Sequence, residues 1–164
     1  MWLSKLFSII FLIVFTSGCG FHPLYSPENE SDIFAVFSKI HIRPIANRPG
    51  QLLRNELDRL LHPRGASSEV LYKLSVKLSE EVTSLGIQKS SIATRANLTI
   101  TATYALTSVT GKALIAEAQN SITVSYNIFT SKYATLVAEK NARKRAIVEL
   151  AQEIRHHVGV LFKQ

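Results

Sequence analysis

Three stretches of this chain alternate apolar and polar residues with period two, which is the signature of a strand with one buried face. From Tyr72 the even positions are Tyr72, Leu74, Val76 and Leu78, and the odd ones are Lys73, Ser75, Lys77 and Ser79. From Arg95 the even positions are Ala96, Leu98, Ile100, Ala102, Tyr104 and Leu106, against Asn97, Thr99, Thr101 and Thr103. From Leu114 they are Leu114, Ala116, Ala118, Ile122, Val124 and Tyr126, against Glu117, Gln119, Ser121, Thr123 and Ser125. Asn120 is the one polar residue that breaks the apolar row. Turn signals separate the strands at Leu85-Gly86 with Lys89-Ser90-Ser91, and at Thr110-Gly111-Lys112. Such short links predict antiparallel pairing. One sheet face is then apolar and the other rich in Ser and Thr.

Two other stretches repeat at helical spacing. Leu53, Leu57, Leu60 and Leu61 fall at 0, +4, +7 and +8, with Pro49 suited to a first helical turn. Pro63 and Gly65 stop this helix. Near the end, Ile147, Leu150, Ile154, Val158 and Leu161 fall at 0, +3, +7, +11 and +14, with Ser131 placed to cap the helix start. Ile40, Ile42 and Ile45 predict a first strand near 37–45, ending about Pro44. The order is β-α-β-β-β-α. Two amphipathic helices with one stripe each, and a sheet with one apolar face, predict an α+β two-layer domain. Two helices pack on one face of a four-stranded, mostly antiparallel sheet. The first strand could join either edge.

The start of the chain has a different logic. Lys5 precedes an apolar run from Leu6 to Phe15, and Thr16-Ser17-Gly18-Cys19 follows. That is the layout of an export signal. The run is about half the roughly twenty residues a membrane-spanning helix needs. Thr16–Cys19 resembles a bacterial lipobox, which implies diacylglycerol on the Cys19 thiol, cleavage before it and a fatty acyl group on the new amino terminus. Gly20 in place of Asp implies passage to the outer membrane, with the chain lipid-anchored on its periplasmic side. The expected organisation is a signal peptide over 1–18, a lipidated tether over 19–32 with little regular structure, and a single domain over 33–164. Cys19 is the only cysteine, so no disulfide can form within the chain.

Cleavage before Cys19 removes 18 residues and leaves 146, enough for one domain with a real core. The full chain carries a formal charge of +7, and loss of Lys5 leaves +6. A basic balance favours an anionic partner. Nucleic acid is not expected at this address, and no nucleic-acid-binding motif is present. A phosphorylated glycolipid fits.

No motif of an enzyme is present: no nucleophile elbow, no zinc-protease helix, no Gly-rich phosphate loop. His156 and His157 are adjacent, about 100° apart on a helix, and so poorly placed to share a metal; a solvated helix end is their simpler reading. Glu80 and Glu81 would point to opposite faces of a strand. No catalytic residue, cofactor or metal is expected. The basic residues Lys89, Arg95, Lys112, Lys132 and Lys140 can be read as scattered solubilising charges or as partners for phosphate.

After the cysteine the chain reads Cys19-Gly20-Phe21-His22-Pro23-Leu24-Tyr25, and near the last helix Tyr133-Ala134-Thr135-Leu136-Val137-Ala138-Glu139-Lys140-Asn141-Ala142-Arg143. Together with the element order, these resemble the LPS-assembly lipoprotein family (LptE), in its alphaproteobacterial form. The resemblance implies a non-enzymatic outer-membrane lipoprotein. It would plug and help assemble the β-barrel LPS translocon, and bind lipopolysaccharide during its delivery to the surface. By region, it implies lipopolysaccharide contact at Lys89, Arg95, Lys132 and Lys140. The polar sheet face would suit the polar lumen of a barrel. A second reading shares the lipobox, size and fold: a lipoprotein auxiliary subunit of an envelope lipid or ABC-type transport system.

Overall fold

A computed structural model describes residues 27–87, 93–110 and 113–162. Cys19, Lys89 and Lys112, with the whole expected signal peptide, lie outside the described residues. The elements are α1 (Pro27–Ser38), β1 (Ile40–Ile42), α2 (Asn47–Leu61), β2 (Tyr72–Ile87), β3 (Ala93–Ser108), β4 (Leu114–Asn127) and α3 (Lys132–Leu161). The six expected elements occur in the expected order, with α1 ahead of them. Part of the stretch expected to be an irregular tether is therefore helical, and the first strand shrinks from 37–45 to three residues. Pro27 suits the first helical position, where no amide hydrogen is needed. Ile33 and Phe34 then pack against the core and Phe37 enters it, so tertiary burial draws this stretch into a helix.

The sheet order is β1-β2-β3-β4. β1 is parallel to β2, pairing Ile40 with Tyr72 and Ile42 with Leu74. The β2–β3 and β3–β4 pairs are antiparallel. The β2–β3 register runs without slip from Tyr72↔Ser108 to Leu85↔Arg95, while β3–β4 shifts at Leu106/Thr107.

Period-two alternation becomes burial. All six even positions of β3, from Ala96 to Leu106, are at most 3% exposed. Leu74 and Val76 of β2 join them, as do Leu53, Leu57 and Leu61 of α2. α3 adds Ala142, Ala146, Ile147, Leu150, Ala151, Ile154 and Val158. Fully burying one such large aliphatic side chain contributes about 1.5–3 kcal/mol. Ser131 caps α3, its hydroxyl accepting from the Ala134 amide at 3.4 Å.

A close approach and a turn flank α2. A Cβ on Gly50 would lie 2.6 Å from Ile45 Cγ2, so only glycine lets the helix approach the chain leaving β1. After the helix, Gly65 has φ +96, the left-handed turn expected of it. His62 ends the helix and is more than a stop: Nδ1 lies 2.8 Å from Asp58 Oδ1 and Nε2 3.0 Å from the Ile40 carbonyl, tying α2 to β1.

Candidate functional site

The end of the sheet where β3 begins and β4 finishes is built by a few backbone contacts. Arg95 pairs with Asn127 in register, and the Ile128 amide donates to the Thr94 carbonyl at 2.9 Å. The Phe129 amide donates to Thr135 Oγ1 at 2.9 Å, and that hydroxyl lies 3.1 Å from the Phe129 carbonyl. The link from β4 into α3 is thus clamped at both ends, and Lys132 follows as the first helical residue.

This geometry brings Arg95 and Lys132, 37 positions apart in the chain, to the same end of the domain. Both are exposed. Lys140, also exposed, lies two helical turns further along α3, about 12 Å at 1.5 Å per residue. It stands apart from the other two. Around the same end are apolar side chains that the sequence patterns did not single out as a surface. Phe129 is 48% exposed, Tyr133 76% and Leu136 61%. The signal for them was available: Tyr133 and Leu136 are large apolar residues at the start of a helix whose core stripe begins only at Ala142.

Arg143 has a different role from the free cations. Its Nε lies 3.0 Å from both carboxylate oxygens of Glu80, and its Nη2 2.7 Å from Glu139. Burial opposes its charge, but the hydrogen bonds it donates to Glu139 and Glu80 outweigh that and hold its pKa above the ordinary arginine value. This bridge ties α3 to β2. It also explains the Glu80-Glu81 pair: Glu80 faces the helices, and Glu81 the open face. Beside the bridge, burial and then the Glu139 charge raise the Tyr126 pKa, while Arg143 lowers it.

Several polar side chains of the open face pair across the strands. Thr99 and Thr123 hydroxyls meet at 2.9 Å, Thr101 and Ser121 at 3.1 Å, and Ser125 donates to Asn97 at 2.6 Å. On the helix face, Asn120 is no flaw in the apolar row. It accepts from the Tyr104 hydroxyl at 2.7 Å. The same hydroxyl lies 2.8 Å from His157 Nδ1. His157 thus belongs to the rim of the core and not, as expected, to a solvated helix end; His156 alone is exposed. Burial, and next the Glu153 charge, push the Tyr104 pKa up to about 12.

A cavity of about 240 Å³ between β1 and α2 is lined by His41, Arg54, Asp58, His62 and Ser67 among others. Its most buried imidazole, that of His62, has both nitrogens engaged. The arrangement that invites a ligand is the end bearing Arg95 and Lys132. Two cations can pair with anionic oxygen, and three aromatic or aliphatic side chains can cover acyl chain.

Several solved structures share the fold. A lipoprotein of Caulobacter crescentus superposes with a TM-score of 0.67 at 23% identity, covering 82% of this chain and 98% of its own. A minor lipoprotein of Acinetobacter baumannii gives 0.59 at 17%, covering 76% and 94%. Rare lipoprotein B of Shewanella oneidensis gives 0.56 at 15%, covering 74% and 93%. At these identities the likeness establishes the fold alone. Comparison with curated proteins finds no match. Residues 37–157, from the C-terminal part of α1 to the last turns of α3, match the family described as LptE, lipopolysaccharide-assembly, and the chain belongs to that family.

Proposed function

We propose that this chain is an outer-membrane lipoprotein, held by lipid on Cys19, that sits within a β-barrel lipopolysaccharide translocon, supports its assembly and binds lipopolysaccharide in transit. One observation carries the reading beyond family membership. Arg95 and Lys132 share an end with exposed Phe129, Tyr133 and Leu136. Lipopolysaccharide carries phosphates and acyl chains side by side, and this end offers both kinds of complement. Lys89 and Lys140 are further candidates, the first outside the described residues. The hydroxyl-paired open face supports the second half of the reading, since a barrel lumen is polar and water-lined. The alternative, an auxiliary subunit of an envelope transporter, has no observation of its own to favour it.

The test is gentle detergent extraction of the tagged, lipidated protein from its own membrane, with mass spectrometry of what accompanies it. A stoichiometric outer-membrane barrel is the expected result. Inner-membrane transporter subunits in its place would overturn the reading.

A further inference from the structure

Among the described residues, the lane beside β2 is occupied only at its start. β1 pairs with Tyr72–Leu74, and the Arg43 amide donates to the Leu74 carbonyl at 2.9 Å. The chain then turns away at Pro44. Among the described residues no other strand joins that side of β2 in the sheet.

The register says which groups are left over. A strand residue directs its N–H and C=O to one side, and the next residue directs them to the other. Leu74 points its carbonyl at β1, and Tyr72 its amide, which donates to the Lys39 carbonyl at 3.2 Å. The β2–β3 register has no slip from Tyr72 to Leu85, so the even residues keep facing that lane. Val76, Leu78, Glu80, Val82 and Ser84 therefore present their main-chain donors and acceptors along the free edge. Among the described residues nothing bonds them there. The edge spans nine residues, about 30 Å at 3.4 Å each.

The side chains specify more than an exposed edge. On the open face Lys77 and Glu81 stand four residues apart, both exposed, and among the described residues neither has an ion-pair partner. On the helix face Val82 is 49% exposed.

We infer that β2 takes up an extended segment of a partner protein as an added strand along Val76–Ser84. That segment carries an acidic residue opposite Lys77, a basic residue four positions away opposite Glu81, and an apolar side chain over Val82. A second copy of this chain does not fit in the register that would satisfy both charges. The antiparallel register that sets Lys77 against Glu81 of a copy also sets Leu74 against its Ser84 and Tyr72 against its Gly86. The copy's Ser84–Gly86 would then occupy the lane that β1 already fills. A single strand from a different chain enters without that collision. This surface runs along β2 and does not depend on lipopolysaccharide binding at Arg95 and Lys132.

The experiment places a photo-crosslinking amino acid at Ser79 or Thr83, in the full-length lipidated protein in its own membrane. Gln152, exposed on α3, is the control position. Strand addition brings neighbouring side chains within about 5 Å, so crosslinks are expected from both β2 positions to one segment of one partner, with the acid–base spacing described. Val82→Pro removes an outward N–H and spares the β2–β3 ladder, and is expected to lower the yield about tenfold. Glu81→Lys, a surface change that leaves the fold alone, is expected to lower it severalfold. Crosslinks to a second copy would overturn the inference. So would yields from β2 no higher than from Gln152, or yields unchanged in both Val82→Pro and Glu81→Lys.

Discussion

The Tyr104 hydroxyl lies 2.8 Å from His157 Nδ1, a bond that joins the middle of the sheet to the last turns of α3. Asn120 on β4 accepts from the same hydroxyl. Three elements thus share one polar point at the edge of an apolar layer. Replacing Asn120 by Ala is expected to cost about 1–2 kcal/mol, the usual penalty for removing one partner of a part-buried hydrogen bond. In a Tyr104→Phe background the same substitution should cost distinctly less. Urea unfolding of the two single variants and the double variant measures that coupling, and equal costs in both backgrounds would show the three groups to be independent.

The same tyrosine sets a prediction for alkaline pH. Its folded pKa of about 12 lies above the unfolded value of 10. Below about pH 10 the phenol is neutral in both states, and its contribution is fully present. Between about 10 and 12 the unfolded chain releases the proton and the folded chain does not, so stability falls as pH rises through that window. Tyr104→Phe should lack this part of the fall. Thermal unfolding of both proteins from pH 9 to 12 tests it.

Gly50 is predicted to tolerate no side chain. Gly50→Ala drives a methyl to 2.6 Å from Ile45 Cγ2, so α2 or the β1–α2 link must shift. Overpacking of this kind costs roughly 1–3 kcal/mol, against the small gain alanine normally brings to a helix. A lower denaturation midpoint is expected, and an unchanged or higher one would contradict the packing described.

Joint charge reversal, Arg95→Glu with Lys132→Glu, is expected to weaken lipopolysaccharide binding by about tenfold or more at low salt, through lost phosphate pairing. The loss should shrink as salt is raised, because exposed charges are screened. Lys140→Glu, two turns away, should do less. Binding to immobilised lipopolysaccharide at matched salt, with circular dichroism to confirm the fold, separates these outcomes.

Cys19→Ser is expected to abolish fatty-acid incorporation and leave a precursor larger by the signal peptide. Metabolic labelling with a radioactive fatty acid checks this, and normal labelling of the variant would refute lipid attachment at that residue.

What the sequence made legible follows from how local each signal is. Alternation over six positions of β3 translated residue by residue into burial, because a period of two leaves no choice of face once the helices cover one side. Ser131 was readable as a cap for a similar reason. α1 was not, since nothing in a stretch holding Pro23 and Pro27 shows that Phe37 has a core to enter. The role of Asn120 was hidden too: the pattern marks it as an exception, and only the β3–β4 register, which sets it opposite Ala102, brings it diagonally within reach of the Tyr104 hydroxyl. The candidate site was legible as a set of basic residues and not as an arrangement. Arg95 and Lys132 come to the same end through the pairing of β3 with the end of β4, and the apolar residues beside them become a surface only when the core is seen to begin further along α3.

Phe37, in the helix that leads in from the expected lipid anchor, packs by Gly159, whose added Cβ would lie 3.3 Å from its ring. Gly159 is in the last turn of the helix that Lys132 opens. Between those two residues α3 runs about 40 Å without a break. That exceeds the roughly 30 Å of a bilayer's hydrocarbon layer. The helix is in effect a rigid ruler: whatever meets the Lys132 end stands at a fixed reach of about 40 Å from the turn that packs on Phe37.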